Sequence, residues 1–321
     1  MKLGFLTDGV GRKSFDEVLE FASQLGVDGI ELATGNWSEA PHLNLDELRG
    51  NPDSRRRLLR GLEDRGLELL ALNANGNQLH PIEGDEHDRV VRRSIELAAD
   101  LGVPTVVLMS GLPGARGDRL PNWITSSWPP EAVEILRYQW EKVALPYWED
   151  LAGLARRLGV RLAVEMHGRQ LVYNPASFHR LQDAIGDDVV GANLDPSHLM
   201  WQGCDILAVV EDLGSSIAHV HAKDIRIEPR RNAVNGLLDP LAPAEARQRS
   251  WNYVTLGQGH AGGATFWRDF VYALRSVGYE GPLSIEHEDV IVSGEEGIRR
   301  AVDTLKPAIF RQEPDWVPAE V

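Results

Sequence analysis

Short apolar runs rich in valine, isoleucine and leucine recur along the chain, and each is followed by a longer amphipathic stretch. Runs that are apolar on both faces are typical of a parallel sheet covered by helices, and the segments between them are long enough for crossover helices. Eight such units predict an α/β fold, a closed (β/α)8 TIM barrel. The predicted strands are residues 3–7, 29–33, 67–74, 105–110, 161–166, 189–195, 217–224 and 282–288.

The stretch after the first run shows the helix signal clearly. Ser14 can act as an N-cap with Glu17 three residues later, apolar residues follow at helical spacing, and Gly26 can end the helix. The same design recurs in "SIELAADLGV", "LAGLARRLGV" and "FVYALRSVGY". Each of these segments leads through a glycine into the next predicted strand.

Two long connections interrupt this rhythm, residues 111–131 after the fourth strand and residues 225–251 after the seventh. Both leave from the ends of strands at which barrels of this type build their sites, so we expect lids or partner-contact loops, and plain insertion is the alternative. Trp123 and Trp128 offer flat apolar surface suited to a ring or a protein partner. No repeat or Gly/Ser linker divides the chain, so residues 1–321 are predicted to form one domain.

The charge balance and the single cysteine narrow the class of protein. Lys and Arg total 33 against 48 Asp and Glu, and the resulting net charge of -15 argues against nucleic acid and anionic lipid as partners. Cys204 has no partner for an internal disulfide, and the first residues lack the pattern of a signal peptide. No apolar run reaches the roughly 20 residues of a membrane span. These features predict a cytoplasmic protein without a membrane segment.

Four predicted strands end in residues that can hold a metal ion. In a barrel these ends lie on one rim, so residues distant in sequence converge there. Three carboxylates and one imidazole form a mostly oxygen site, better suited to Mn²⁺ or Mg²⁺ than to a structural zinc. The four residues are Glu165, Asp195, His221 and Glu286.

Each of the four also has an ordinary alternative role. Asp195 can cap the helix that follows it, His221 can be a hydrogen-bonded core histidine, and the two glutamates can pair with Arg or Lys. Their joint placement favours metal coordination, because burying four such groups together without a cation costs several kcal/mol each.

Strand alternation places a further histidine near the same point. His167 lies two residues after Glu165 and leaves the strand on the same face, so we predict that it is the general acid or base. Binding of a substrate or simple packing is the alternative. His219 shares a face with His221, whereas His287 should point away from the site.

Several motifs together carry a family resemblance. They are "GVDGIEL", "VEMH", "NLDPSHL", "HVHAKD", "LGQGH" and "GYEGPLSIEHED". In this order, over nearly the whole chain, they resemble the xylose isomerase-like TIM barrel superfamily of sugar isomerases and epimerases. The resemblance implies one divalent metal, often Mn²⁺, held by Glu165, Asp195, His221 and Glu286. It also implies that His198 faces the substrate, that Glu165 and Glu286 move protons, and that the metal stabilises an enediolate.

A narrower resemblance lies in "LNANGNQLHP", "SGLPG" and "PNWITSSWPPE". These tracts are similar to the larger subunit of C-glycoside deglycosidases, which are lyases acting on 3-oxo-glycosides. That resemblance implies loss of the sugar C2 proton, elimination of the aglycone from C1, and a smaller β-subunit as partner. A homo-oligomer, a keto-sugar isomerase or epimerase, and a non-catalytic sugar-binding barrel are the alternatives.

The remaining polar candidates are assigned to the substrate. His80 and Asn73, with Asn75, are predicted to bind sugar hydroxyls, although His80 can also cap a turn. Lys223 can orient an anionic or keto group or can pair with Asp224 or Glu31, and Glu31 carries the same ambiguity. No glycine-rich phosphate loop stands out, which favours an unphosphorylated sugar or glycoside.

A nucleic-acid enzyme on the same barrel is the last alternative. AP endonucleases of this fold bind three zinc ions, and His80 and His260 lie where extra ligands would be needed. The acidic charge, together with the missing aspartate in "LGQGH", argues against that function.

Overall fold

The barrel strands are short and strictly parallel. The computed structural model describes residues 1–259 and 261–316, and within them the strands close in the order β1-β10-β7-β6-β5-β4-β3-β2. The predicted (β/α)8 barrel is confirmed. Its strands are β1 (Lys2–Leu6), β2 (Gly29–Ala33), β3 (Glu68–Asn73), β4 (Thr105–Met109), β5 (Arg161–Glu165), β6 (Val190–Leu194), β7 (Ile217–Ala222) and β10 (Pro282–Ile285).

Helices cover the outside of the barrel and form several of its loops. The helix predicted after the first strand is α1, in which Ser14 and Glu17 form a reciprocal capping box and Gly26 ends the helix with φ 60°. A left-handed φ of this kind suits glycine because it lacks a Cβ. The helices are α1 (Phe15–Leu25), α2 (Leu45–Gly50), α3 (Pro52–Glu63), α4 (Gly84–Leu101), α5 (Pro130–Tyr138), α6 (Leu145–Leu158), α7 (Pro175–Ile185), α8 (Pro196–Met200), α9 (Ile206–Leu213), α10 (Pro229–Asn235), α11 (Ala264–Ser276) and α12 (Gly294–Leu305). None of the described helices has both the length and the apolar character that a bilayer span requires.

The seventh predicted strand differs from the observed one at its end. Barrel strand β7 stops at Ala222, and the chain turns at Lys223 into a separate antiparallel hairpin of β8 (Asp224–Ile227) and β9 (Trp251–Val254). The prediction ended this strand at residue 224, two residues beyond its observed end, and so placed Lys223 and Asp224 in the barrel. The long connection after the seventh strand is therefore partly a hairpin, with α10 between its two strands.

The apolar residues of the interior form two clusters. The large apolar core lies between strands and helices, whereas Ala71, Val107 and Ala163 form a small separate cluster. Ala163 lies two residues before Glu165 on β5, so both side chains point to the same face, the inside of the barrel. The barrel interior is thus apolar around Ala71, Val107 and Ala163, and it becomes polar at the carboxyl ends of the strands.

Candidate metal and substrate site

The four predicted metal ligands converge at the carboxyl ends of β5, β6, β7 and β10. Donor atoms of Glu165, Asp195, His221 and Glu286 all lie within 4.8 Å of one another. The first three residues are at most 1% exposed, and the Glu286 side chain is 14% exposed. His221 Nδ1 is 3.0 Å from Glu165 Oε2 and 3.0 Å from Glu286 Oε2. The geometry therefore brings together four side chains that are far apart in sequence.

Three of the donor atoms that face this centre have no hydrogen bond. Asp195 Oδ2, His221 Nδ1 and Glu286 Oε2 are all buried, and none is hydrogen-bonded within the described part of the chain. Unpaired buried polar atoms are costly, and a cation at their centre would pair all of them at once. The donor set thus fits a divalent metal ion.

Asp195 serves the helix and the cluster with different oxygens. Its Oδ1 accepts a hydrogen bond of 2.8 Å from the backbone N–H of Ser197 and so caps α8. Its Oδ2 turns to the cluster, 3.2 Å from His198 Nε2. Helix cap and site residue are therefore compatible roles for one side chain.

Two amides fix the orientation of Glu165. Asn75 Nδ2 and Asn193 Nδ2 donate to Glu165 Oε2 at 3.0 and 2.9 Å. Asn193 lies two residues before Asp195 on β6, so strand alternation could have placed it at the site. Asn75 was expected to bind sugar hydroxyls, whereas its amide holds a predicted metal ligand.

A second buried group lies behind His221. Glu31, on β2, accepts hydrogen bonds from His221 Nε2 at 3.0 Å, His219 Nε2 at 2.8 Å and Asn73 Nδ2 at 2.9 Å. Burial raises the pKa of Glu31, but the neighbouring histidines outweigh it and hold the pKa well below the usual range. Glu31 and Asn73 were predicted to bind substrate, and the structure instead uses their polar groups within this network.

Lys223 is buried against three carboxylates rather than against Asp224 or Glu31. Its Nζ lies 2.9 Å from Glu288 Oε2 and 3.2 Å from Glu286 Oε2. Burial lowers the pKa of Lys223, but these carboxylates outweigh it and raise the pKa well above its usual value. Glu288 was missed, although it lies two residues after Glu286 and so has the same parity.

Asp224 anchors a loop instead of pairing with the lysine. Its Oδ2 accepts from the backbone N–H of Gly257 and Gly259 and from Trp267 Nε1, at 3.0, 3.2 and 2.9 Å. Asp224, on β8, therefore holds the segment after β9 next to α11, and Lys223 pairs with the cluster instead.

Two histidines with opposite electrostatics stand side by side. His198 Nε2 is 3.2 Å from both Glu165 Oε1 and Asp195 Oδ2, and the His198 ring centroid is 4.0 Å from that of His167. Burial lowers the pKa of His198, but Asp195 outweighs it and raises the pKa to about 9. Burial and the neighbouring His198 lower the pKa of His167 to about 3. The pKa values of these two adjacent imidazoles are thus displaced in opposite directions.

Aromatic side chains from both long connections meet above the histidines. Trp201 stacks on Trp251 with ring centroids 5.5 Å apart, and Trp123 packs edge-on against Trp201 and Tyr173. Tyr253 Oη, on the hairpin, lies 3.1 Å from His198 Nδ1. We call these five rings, of Trp123, Tyr173, Trp201, Trp251 and Tyr253, the aromatic wall. Only Trp123 was predicted from the sequence, because no motif marked the other four.

Two further candidate histidines, His80 and His287, lie away from the cluster. His80 Nδ1 accepts the backbone N–H groups of Ile82 and Glu83 at 3.2 and 3.1 Å, so its ring caps the turn before α4. His287 packs against α12, where a Cβ added to Gly297 would lie 1.9 Å from its Cε1. His287 therefore points away from the site, as strand alternation predicts. His260 lies outside the described residues.

Comparisons with known proteins agree with this fold. Residues 19–308 match the family model described as xylose isomerase-like TIM barrel. The chain is 47% identical over 314 residues to the uncharacterised protein YfiH of Bacillus subtilis (strain 168), covering 96% of this chain and 99% of that protein. It is 26% identical over 150 residues to an inosose dehydratase of Lacticaseibacillus casei, 47% of each chain. The crystal structure of the IOLI protein with a binding zinc atom superposes with a TM-score of 0.67 and 22% identity, covering 96% and 98% of the two chains.

The chain therefore belongs to the xylose isomerase-like TIM barrel family. The solved structure at 22% identity shows a shared barrel.

Proposed function

We propose that the protein is a divalent-metal-dependent lyase that removes the proton next to the carbonyl of an unphosphorylated keto sugar or glycoside. On a 3-oxo-glycoside, the proton would leave C2, a C1=C2 double bond would form, and the aglycone would depart with the electrons of its bond to C1 and gain a proton. The observation that carries this proposal is the convergence of four donors, three of which present a buried atom without a hydrogen bond. The name of the inosose dehydratase denotes another elimination, the loss of water from an inosose.

The oxygen-rich donor set favours Mn²⁺ or Mg²⁺ as the metal. When bound by Glu165, Asp195, His221 and Glu286, such an ion supplies Lewis-acid stabilisation of the oxygen anion that forms as the proton leaves. Lys223 adds positive charge beside the same position, and the His198 imidazole lies 3.2 Å from Glu165 and Asp195. Asn75 and Asn193 keep Glu165 in one orientation, so that the charges are preorganised for the substrate.

Two groups compete for the role of base. His167 is neutral and does not belong to the ligand set, but a pKa of about 3 makes it a weak proton acceptor. Burial raises the pKa of the Glu286 carboxyl, which brings it nearer to the working pH. Glu286 is also a proposed ligand, and a bound divalent ion would oppose that rise, so Glu286 and His167 both stand as candidate bases.

Epimerisation is the second candidate function. Glu165 and Glu286 approach His221 Nδ1 at the same distance, 3.0 Å, from two different strands. Two carboxylates that flank one substrate could remove a proton from one side and return it from the other. Lyase and epimerase share the first half-reaction and differ only in the second.

One assay separates these functions. The Mn²⁺-loaded protein is incubated in deuterated water with a 3-oxo-C-glycoside and, separately, with a free ketose. Release of aglycone supports the lyase, whereas deuterium uptake by the ketose without release supports the isomerase or epimerase. Sugar binding without either reaction, with Mn²⁺ or Mg²⁺, would leave a non-catalytic barrel.

Variants and subunit composition complete the test. Glu286→Gln and His167→Gln are expected to lower proton exchange, and His167→Gln is expected to retain the metal because His167 is not a ligand. For the partners, the native mass shows whether the chain forms a homo-oligomer. Aglycone release by this chain alone would argue against a required smaller subunit, and release only after such a subunit is added would support a hetero-oligomer.

A further inference from the structure

Glu31 is a fully buried carboxylate with no contact to solvent. It lies on β2, on the opposite side of His221 from Glu165 and Glu286, and is 0% exposed. One oxygen, Oε1, accepts from His221 Nε2 at 3.0 Å and from Asn73 Nδ2 at 2.9 Å, and the other, Oε2, accepts from His219 Nε2 at 2.8 Å. Three donors therefore hold this carboxylate in one position.

The contact with Glu31 decides which nitrogen of His221 carries a proton. A carboxylate accepts but does not donate, so the hydrogen lies on Nε2. The lone pair of the ring is then on Nδ1, which faces Glu165 Oε2 and Glu286 Oε2 at 3.0 Å each. A carboxylate that accepts the outer N–H of a ligand histidine fixes its tautomer and increases its basicity.

The same three residues could in principle hold a metal ion of their own. Donor atoms of Glu31, His219 and His221 also lie within 4.8 Å of one another. The hydrogen bonds of Glu31 argue against that arrangement, because a cation there would have to replace the two imidazole N–H groups, of His219 and His221, that Glu31 already accepts. The hydrogen-bonded network accounts for both oxygens of Glu31 without an ion.

We propose that Glu31 is a positioning residue, which holds His221 with Nε2 protonated and Nδ1 presented to the divalent ion. This inference rests on the metal site of the proposed function. It assigns a role to a residue outside the four ligands, and it makes β2 part of the metal centre.

The first experiment measures metal affinity. Mn²⁺ and Zn²⁺ are titrated into the wild-type chain, Glu31→Ala, Glu31→Gln and His219→Gln, with bound metal per chain counted by elemental analysis. Glu31→Ala is expected to weaken binding by about 10- to 100-fold. Glu31→Gln should lose less, since its amide oxygen can still accept one N–H. His219→Gln should lose less than roughly tenfold, since His219 touches only the far oxygen of Glu31.

A matched control separates orientation from general damage to the barrel. Ser94 is fully buried and donates to Thr34 Oγ1 at 2.7 Å, just beyond the end of β2, without touching His221. Ser94→Ala should alter thermal stability and leave metal affinity unchanged. If Glu31→Ala does not fold, Glu31→Gln carries the test because it keeps the volume of the side chain.

The second experiment reads the histidine directly. Imidazole ¹⁵N spectra of the Zn²⁺-loaded wild-type chain should show His221 with a protonated Nε2 and a metal-shifted Nδ1. In Glu31→Gln the Nε2–H signal should broaden or shift, a change that a purely structural role of Glu31 would not produce. Metal coordination through Nε2 would overturn the inference.

The outcomes distinguish this inference from the proposed function. If the wild-type chain binds no divalent ion, both fall together. If it binds one ion and both Glu31 variants keep wild-type affinity, only the role of Glu31 is overturned. If it binds two ions and His219→Gln binds one, Glu31, His219 and His221 form a second metal site and the positioning role is wrong.

Discussion

At the scale of single residues, the site depends on side chains that serve the fold and the cluster at once. Asp195 caps α8 with Oδ1 and faces the cluster with Oδ2. The two roles use different atoms, so different substitutions can separate them. Asparagine keeps an oxygen acceptor for the cap, and alanine removes both groups.

Asp195→Asn and Asp195→Ala are therefore expected to lose the metal equally but to differ in stability. Both lose one of four donors, so metal affinity should fall by more than the ~100-fold upper range seen for residues outside the ligand set. Both also lose the same charge, so their difference in unfolding free energy reports the cap alone, about 1 kcal/mol in favour of asparagine. Metal titration and thermal unfolding measure the two effects.

Asp205 provides the control for this pair. It caps α9 by accepting from the backbone N–H of Leu207 at 3.0 Å and takes no part in the cluster. Asp205→Asn should leave metal affinity unchanged. Equal stability of Asp195→Asn and Asp195→Ala would show that the cap contributes nothing.

Strand alternation explains which site residues could be predicted from the sequence. Glu165, Asp195, His221 and Glu286 follow from the rule that strand ends share one rim. Asn193 and Glu288 obey the same parity and were within reach. Which polar atoms are already used by neighbours is a property of the packed structure, so the positions of Glu31 and Asn73 could not be read from the pattern.

At the scale of elements, the hairpin β8–β9 is the feature that the sequence analysis did not predict. Its two strands pair from Asp224↔Val254 to Ile227↔Trp251, but residues 228–250 separate them. A hairpin is recognisable from sequence mainly when a tight turn joins two alternating runs, and this pair has none. Its consequence is that Tyr253 and Trp251 come from an insertion and yet stand over the site.

Tyr253→Phe tests whether the hairpin contributes to catalysis. The substitution removes the hydroxyl 3.1 Å from His198 Nδ1 and leaves the ring in place. Losing one hydrogen bond of about 0.5–1.5 kcal/mol should lower kcat by roughly 2- to 10-fold, since His198 is held less firmly. Metal affinity should not change. Steady-state kinetics and metal titration check both statements.

Tyr272→Phe is the matched control, because this tyrosine is 65% exposed on α11. An equal loss of kcat in both variants would show that the Tyr253 hydroxyl contributes nothing specific to catalysis.

The aromatic wall makes a separate prediction at Gly168. A Cβ at this position would lie 2.5 Å from Trp201 Cζ2 and 3.7 Å from Trp123 Cη2. Gly168→Ala must therefore displace the Trp201 indole, at a cost of about 1–3 kcal/mol, and should shift tryptophan fluorescence. Chemical unfolding followed by fluorescence measures both changes.

Gly153→Ala supplies the contrast on α6. The added Cβ there meets only Arg157 Nη1 at 3.6 Å, so the substitution should stabilise the helix by about 0.5–1 kcal/mol. If both alanine variants have the same unfolding free energy, the close contact between Gly168 and Trp201 does not destabilise Gly168→Ala.

At the scale of the whole molecule, the barrel was predictable because its strands are apolar on both faces. All eight predicted runs became barrel strands, and the larger differences lie at their carboxyl ends. Residues such as Asp195, Glu286 and Glu288 continue the runs in sequence but leave the ladder to face the site. Apolar periodicity indicates where a strand lies, whereas hydrogen bonding to neighbours decides where it stops.

Removing the metal should lower stability without unfolding the barrel. The large core between strands and helices contains none of the four ligands, so a chelator should leave a folded protein. Restoring Mn²⁺ at 100 times its Kd should add about 2.7 kcal/mol, or about 4 °C in Tm for a chain of this size.

The chain carries a net charge of -15, so salt alone also stabilises it by screening repulsion. Sodium chloride at matched ionic strength is therefore the necessary comparison, with Asp195→Asn as the variant that should not respond. Equal shifts from sodium chloride, or an undiminished Mn²⁺ shift in Asp195→Asn, would mean that the ion acts on the general charge of the molecule and not at the cluster.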